Sequence, residues 1–139
     1  MGQQQLLLII LGVIIVGIAI AVGLQLFQTG SIGANHDAII NDVMNISAHA
    51  DQWRIRPTSM GGGGGDFDGY TLPDRMDETG NGEYSISAAT GQTITILGES
   101  TIHNGSVQLI YRADGDDDSE RYNWTHTGDF GDGSLDEGN

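Results

Sequence analysis

An unbroken apolar stretch near the N-terminus constrains this chain more than any other feature. It runs from Leu6 to Phe27 as LLLIILGVIIVGIAIAVGLQLF, 22 residues in which Gln25 is the one strongly polar side chain. As a helix the stretch is roughly 33 Å long, enough to cross a hydrocarbon core of about 30 Å. It is apolar on every side, so it must lie in lipid or inside a protein core, because exposing its large aliphatic side chains to water is costly.

Two ordinary interpretations of the stretch lack the basic flanking residues that usually accompany them. A cleaved secretory signal begins with a basic segment, whereas MGQQQ has no lysine or arginine, although Ala19-Ile20-Ala21 resembles a cleavage tripeptide. A single-span membrane anchor usually has flanking basic residues that fix its orientation, and none occurs before Arg54. Both interpretations stay open.

Small residues inside the stretch favour a third interpretation, close packing between helices. They are Gly12, Gly17, Ala19, Ala21 and Gly23. A glycine costs a helix about 1 kcal/mol relative to alanine, and spacings such as Gly17 to Ala21 let two helix backbones approach closely. Together with the missing flanking charge, these residues predict a helix that bundles with copies of itself.

The hydrophobic pattern becomes one-sided after Ser31. Apolar positions then step by four and three residues, which predicts an amphipathic helix of about six turns that ends before Pro57. The stripe consists of Ile32, His36, Ile39, Val43, Ile46, Ala50 and Trp53, widened by Ile40 and Met44. The opposite face holds Asn35, Asn41, Asp42, Asn45, His49 and Gln52. Gly30 and Gly33 predict a kink or an unwound joint before it, and His36 is interpreted as a packed residue and not as a ligand.

A glycine-rich loop and a group of short strands follow. The run of five glycines at 61–65 is interpreted as a flexible or close-packed crossing over the helix, since a phosphate-binding loop needs a lysine and the chain has none. Alternating segments predict strands at 83–87, 92–97, 106–111 and 121–126, with a turn at Ala89-Thr90-Gly91. Their apolar face comprises Tyr84, Ile86, Ile94, Ile96, Val107 and Leu109.

These patterns predict an α+β fold, in which a long N-terminal helix, apolar and then amphipathic, packs on a small antiparallel β-sheet head. The predicted organisation is an apolar helix over 1–30, an amphipathic helix over 31–56, a glycine-rich crossing loop over 57–82 and an acidic β-rich head over 83–139.

Charge is distributed very unevenly along the chain. Residues 1–36 carry no charged side chain, whereas residues 61–139 hold 16 acidic residues against three arginines, and the formal net charge of the chain is −14. Such a surface repels phosphates, so we expect no nucleic acid partner. The absence of cysteine excludes disulfides and thiolate metal sites.

Few residues suggest chemistry. Asp114, Asp116, Asp118 and Glu120 alternate in DGDDDSE, and carboxylates so spaced can wrap Ca²⁺, although an acidic hairpin loop is the plainer interpretation. No other cofactor is expected. Asn45, Asn104 and Asn123 each begin an N-glycosylation pattern. The four histidines are scattered, no catalytic set emerges, and we expect the chain not to be an enzyme.

The architecture, with a long N-terminal helix, a glycine-rich crossing and a short β-meander, resembles the type IV pilin superfamily. The resemblance covers nearly the whole chain as architecture, and at motif level the stretch from Leu6 to Phe27. Pilins usually carry a glutamate where Gln5 stands here, and their basic leader is cut after a glycine, for which Gly2 is the one candidate. The resemblance is therefore to a non-standard, pilin-like branch.

The resemblance implies a structural subunit of an extracellular type IV pilus-like filament. In that family the apolar half-helices form the filament core, which here assigns the core to Leu6, Leu7, Ile10, Gly12, Ile14, Gly17, Ala21, Gly23 and Phe27. The implied partners are copies of the chain itself in a helical homopolymer and, before assembly, the inner membrane; the implied location is the cell surface. The alternative is a single-span membrane-anchored binding module with an acidic, Ca²⁺-binding head.

Overall fold

A computed structural model describes residues 2–131 of the 139-residue chain. One helix, α1 (Gly2–Ile55), forms its N-terminal part. The first proline of the chain is Pro57, and α1 ends just before it, as predicted. The chain divides into two compact units between Gly33 and Ala34. We refer to the residues before Ala34 as the apolar unit and to those from Ala34 onward as the head.

The helix continues through Gly30 and Gly33 without interruption. The unwound joint predicted from these two glycines is therefore wrong. A glycine costs a helix about 1 kcal/mol, which is little once long helical segments are already formed on both sides of it. The Thr29 hydroxyl donates to the Gln25 carbonyl at 3.1 Å, so this polar side chain bonds to its own helix.

Four strands form one antiparallel sheet in which each strand pairs with the next along the chain. The strands are β1 (Gly82–Thr90), β2 (Thr93–Ser100), β3 (Gly105–Arg112) and β4 (Tyr122–Gly128). Each coincides with a predicted strand to within a few residues. The predicted α+β fold, a long N-terminal helix with a small antiparallel sheet, is confirmed.

The first hairpin turns over two residues, Gly91 and Gln92, because Thr90 pairs with Thr93. The predicted turn began at Ala89, which instead belongs to β1. Gly91 has a φ of 53°, and a glycine with positive φ at the first loop position is typical of a type II′ hairpin turn. The register also shifts between Ile86 and Ala88, and beside this bulge Ile86 is half-buried instead of joining the core.

The core of the head lies between α1 and one face of the sheet. The helix buries Ile39, Val43, Ile46 and Ala50, and the sheet buries Tyr84, Ile94, Ile96, Val107, Leu109 and Tyr111. Gly98 of β2 lies against the helix, since a Cβ at this position would be 3.0 Å from Cγ2 of Ile39 and 3.1 Å from the Tyr84 ring. A glycine therefore lets α1 lie directly on β2.

Two residues of α1 depart from their predicted faces. Met44 belongs to the predicted stripe but is exposed, whereas Asn35 belongs to the predicted polar face but is 7% exposed. The Asn35 Oδ1 atom accepts a hydrogen bond from the Ser100 hydroxyl at 2.6 Å, and its Nδ2 atom donates to the Asn81 carbonyl at 3.1 Å. Asn35 is buried because both of its polar atoms find partners in the head.

The five glycines at 61–65 pack against the end of α1. The backbone N–H groups of Gly63, Gly64 and Gly65 donate to the carbonyls of Trp53, Arg56 and Arg54 at 3.0, 3.0 and 2.8 Å. The last carbonyls of a helix have no partner within the helix, so the glycine run supplies one. Of the two predicted alternatives, flexible or close-packed, these contacts favour the close-packed loop.

Replacing Gly63 by alanine tests this packing. A Cβ there would lie 2.6 Å from the Trp53 ring and closer still to the Asp66 carbonyl, so we expect Gly63→Ala to lower the free energy of unfolding by about 1–3 kcal/mol. The measurement is urea unfolding of the full chain in detergent.

Gly80 is the matched control for this variant. A Cβ at Gly80 meets nothing within 4 Å, so Gly80→Ala should be neutral or stabilise by about 0.4–1 kcal/mol. Equal unfolding midpoints for the two variants would contradict the packed loop.

Candidate assembly helix and polar clusters of the head

The apolar unit contains a helix that is long and apolar enough to span a membrane. Its large apolar side chains are exposed, from 48% for Val22 to 76% for Phe27. All nine residues predicted to form an assembly core lie on this part of α1 and are exposed: Leu6, Leu7, Ile10, Gly12, Ile14, Gly17, Ala21, Gly23 and Phe27. Their role in assembly stays a prediction.

Small residues lie on two sides of the apolar unit. At 3.6 residues per turn, successive residues are rotated by about 100° around the helix axis. Gly17 and Ala21 therefore share one side, and Gly12, Ala19 and Gly23 share a roughly opposite side. A Cβ at any of the three glycines would meet nothing within 4 Å. No contact within residues 2–131 therefore requires glycine at these positions.

In the head, His36 of α1 contacts His126 of β4. The His36 Nε2 and His126 Nδ1 atoms lie 3.1 Å apart, and His36 is 1% exposed. His36 is thus a packed residue, as predicted, but its pairing with a histidine 90 positions away was not predicted. The His36 Nδ1 atom has no hydrogen-bond partner and lies 3.7 Å from Oδ1 of Asp37. A tautomer in which His126 donates, and His36 carries its proton on Nδ1 towards Asp37, fits both contacts.

Asp42 links α1 to the loop before the sheet and to β1. One carboxylate oxygen, Oδ2, accepts hydrogen bonds from the Tyr84 hydroxyl at 2.7 Å, the Thr79 hydroxyl at 3.0 Å and Asn81 Nδ2 at 3.1 Å. The helical pattern places Asp42 on the polar face, and the structure places it at the half-buried border of that face. Burial raises the pKa of the Tyr84 hydroxyl above its ordinary value, and the neighbouring Asp42 carboxylate adds to this effect.

Tyr70 makes a second link between the crossing loop and α1. Its hydroxyl lies 2.8 Å from Nδ1 of His49, and its ring packs edge-on against Trp53 with the ring centres 5.6 Å apart. Burial raises the pKa of Tyr70 to about 12. Burial also raises the pKa of Tyr111, on the inner face of β3. The folded head therefore holds these tyrosine protons more tightly than an unfolded chain does.

Alkaline pH should destabilise the head through these tyrosines. An unfolded tyrosine ionises near pH ~10. Because the folded pKa is raised, the stabilisation is complete below that pH and is lost as the pH rises through about 12 for Tyr70. We expect the free energy of unfolding, measured by urea titration, to fall above pH ~10 by up to about 1.4 kcal/mol per pH unit for each tyrosine. Tyr70→Phe and Tyr84→Phe should each make the fall shallower, and an unchanged slope in both would contradict this origin.

The segment predicted to bind Ca²⁺ contains a one-turn helix, α2 (Asp118–Arg121). The four predicted ligands, Asp114, Asp116, Asp118 and Glu120, are all exposed. Asp117, which was not among them, caps α2 by accepting from the Glu120 N–H at 3.0 Å, and Glu120 accepts from the Asp116 N–H at 3.2 Å. Across residues 2–131, no three acidic, histidine or cysteine side chains are grouped as a metal site needs. Ca²⁺ binding stays a prediction.

Chelation tests the Ca²⁺ prediction. If Asp114, Asp116, Asp118 and Glu120 bind Ca²⁺, the thermal midpoint of the head should rise when Ca²⁺ is added and fall with a chelator. Changing these acids to their amides should remove the response. Amides at four exposed acids elsewhere, Asp74, Asp77, Glu78 and Glu83, remove the same charge and should leave it unchanged. Equal midpoints with chelator and with Ca²⁺ in the wild-type chain would eliminate the site.

The three predicted glycosylation residues are accessible. Asn45 lies on α1, Asn104 between β2 and β3, and Asn123 on β4, and all three are exposed. The Asn45 Nδ2 atom donates to Asn41 at 3.2 Å. Exposure satisfies the steric requirement for modification, and the modification itself stays a prediction.

The head has an open polar cleft of about 280 Å³ at one end of the sheet. Its lining includes Glu99, His103, Ser106 and Thr127, and the hydroxyls of the last two lie 2.6 Å apart. A pair of hydroxyls alone is not a catalytic set, which also needs a base and a group that orients the base. The expectation that the chain is not an enzyme stays a prediction.

No family model, no curated protein and no solved structure matches this chain. The function of the chain therefore has to be proposed from its own residues. They define an α+β protein that has an acidic head and a helix long and apolar enough to span a membrane.

Proposed function

We propose that this chain is the structural subunit of an extracellular helical filament of the type IV pilus kind, in a non-standard branch. The subunit is held in the inner membrane by its apolar unit before assembly, and it polymerises through the same segment. Acidic heads then cover the filament at the cell surface. The partner in this proposal is the chain itself, and no catalytic step is involved.

The arrangement of small residues on two sides of the apolar unit carries the proposal. A helix that only anchors a domain in lipid has no need of close helix contacts, and a two-fold dimer uses one surface patch on each subunit. A subunit in an open polymer is contacted by neighbours through different surfaces. Gly17 and Ala21 on one side, with Gly12, Ala19 and Gly23 on the other, allow close approach from both.

The absence of charge in residues 1–36 supports the same proposal. A helix that moves from lipid into a protein core must bury every side chain it carries, and an unpaired charge in such a core costs several kcal/mol. The apolar unit can make this transfer without burying a charge. Flanking basic residues, which would hold an ordinary anchor at the membrane surface, do not occur before Arg54.

A single-span anchor that displays an acidic, Ca²⁺-binding head is the second candidate. The length and hydropathy of the apolar unit favour it as much as they favour a filament subunit. The two candidates differ in the use of the small residues, because an anchor tolerates any apolar side chain at those positions.

Leucine at the small positions separates the two candidates. Gly17→Leu and Gly12→Leu keep the helix apolar, and a Cβ at either position meets nothing within 4 Å in residues 2–131. We expect both variants to insert into membranes like the wild type and then to form no filaments, or filaments of altered symmetry. The measurement is electron microscopy of filaments, with membrane fractionation alongside.

Val13→Leu is the matched control, because it enlarges a position that is already large and lies one turn from Gly17. It should leave filaments unchanged. Ile15→Asp should abolish them, since it places a carboxylate in the proposed core. Normal filaments from Ile15→Asp would exclude burial of the apolar unit, and a wild-type chain that forms no filaments would favour the anchor.

A further inference from the structure

The end of α1 and the turn that follows it carry exposed apolar side chains and an exposed cation, close together in sequence. Ile55, the last residue of α1, is 64% exposed, and Met60 in the following turn is 71% exposed. Arg56 follows Ile55 and is also exposed. We refer to Ile55, Arg56 and Met60 as the helix-end patch. The glycine run at 61–65 packs next to this patch: the Gly64 N–H donates to the Arg56 carbonyl at 3.0 Å. This hydrogen bond holds the backbone of the patch in place.

The side chain of Arg56 makes no ion pair or hydrogen bond with any residue in 2–131. Arg54, two positions earlier, is an arginine whose side chain makes contacts within the head. It pairs with Asp51 at 2.9 Å, donates to the Gly65 carbonyl and lies over the Phe67 ring. No contact within the described part of the head accounts for Arg56, which has two exposed apolar residues close to it in sequence.

Arginine and methionine are enriched in protein–protein interfaces, whose buried centres are apolar, whereas lysine and acidic residues are depleted there. The helix-end patch has this composition on a surface that is otherwise acidic. A partner that buries Ile55 and Met60 must also supply an acceptor for Arg56, and a carboxylate is the best acceptor for a guanidinium. The partner surface is therefore acidic.

The chain itself offers such a surface. The carboxylates of Asp114, Asp116 and Asp118 are exposed, and within the described part of the chain no cation pairs with them. We propose that the helix-end patch binds the acidic segment Asp114–Asp118 of a second copy of this chain. The inference rests on the proposed function, which places copies side by side. In a filament, heads of strong negative charge repel each other at close range, and the contact between Arg56 and the acidic segment offsets part of this repulsion.

The test compares filaments of the full chain carrying Arg56→Gln with filaments carrying Arg75→Gln. Arg75 is likewise exposed and without an ion pair in residues 2–131, so both variants change the net charge equally. We expect Arg56→Gln to raise the subunit concentration needed for filaments by about 2- to 5-fold, the size of one partly exposed ion pair, and Arg75→Gln to leave it near the wild-type value. Equal effects of the two variants would overturn the proposal.

The apolar part of the patch has its own control. Ile55→Ser and Met60→Ser should weaken assembly, whereas Ile102→Ser, at a residue that is 59% exposed between β2 and β3, should not. Because all three side chains are exposed, the thermal midpoint of the detergent-solubilised subunit should stay the same. Equal assembly in the three serine variants would also overturn the proposal.

A double-mutant cycle identifies the partner segment. Arg56→Gln is combined with asparagine at Asp114, Asp116 and Asp118. If the two surfaces meet across copies, the combined variant should assemble more readily than the product of the two separate effects predicts. Fully multiplicative effects would reject this segment as the partner. If the wild-type chain forms filaments and the cycle is multiplicative, the contact alone fails; if the wild type forms none, the proposed function fails and the contact with it.

Discussion

The apolar stretch of α1 from Leu6 to Phe27 has 22 residues, no charge and one strongly polar side chain. Exposing it to water is costly, and the rest of the chain depends on that constraint. Acidic side chains are concentrated after residue 60, so this part of the head carries a strong negative charge. The charge-free part extends to residue 36, beyond the apolar stretch itself. Its last member, His36, is the first fully buried side chain of the head. The same helix therefore provides both an apolar segment and one wall of a folded core.

Polar side chains as well as apolar packing hold α1 to the head. Asn35 bonds to Ser100, His36 contacts His126, and Asp42 gathers three donors from the crossing loop and β1. These contacts are directional, whereas the apolar contacts of buried residues such as Ile39 and Val43 are not. The polar links thus help to set the position of the helix on the sheet. At the far end of α1, backbone donors from the glycine run complete the helix terminus.

The elements were predictable because each shows one buried face in a simple period. Ile94 and Ile96 alternate with half-buried residues, and Ile39, Val43, Ile46 and Ala50 follow the helical step. Contacts between distant residues were not predictable. Asn35 looks like a surface residue until Ser100, 65 positions away, is known to face it, and the two histidines share no local pattern. The hairpin turn lies later in the chain than predicted, because its position depends on the pairing of Thr90 with Thr93.

For the candidate assembly helix, the sequence predicts most of what is known and the structure adds little. Its length, its composition and the positions of its small residues follow from the sequence alone, and the folded chain adds that Gly12, Gly17 and Gly23 serve no contact within residues 2–131. In the proposed filament the remaining contacts of this segment are made with neighbouring copies, and a single chain does not contain them.

The order of strands along the chain has a consequence for synthesis. The first two turns of the meander are short, with two residues between β1 and β2 and four between β2 and β3, so these two hairpins close at low entropic cost. The helix is synthesised first, yet His36 acquires His126 only after β4 has left the ribosome, 90 residues later. Ile39, Val43 and Ile46 have no sheet to cover them until β1, β2 and β3 have emerged, because the buried residues of the sheet lie on these three strands. A nascent chain that stalls before Gly82 would thus expose the apolar face of the head helix beside the long apolar segment, and exposed apolar surface of this kind promotes aggregation until the sheet has formed.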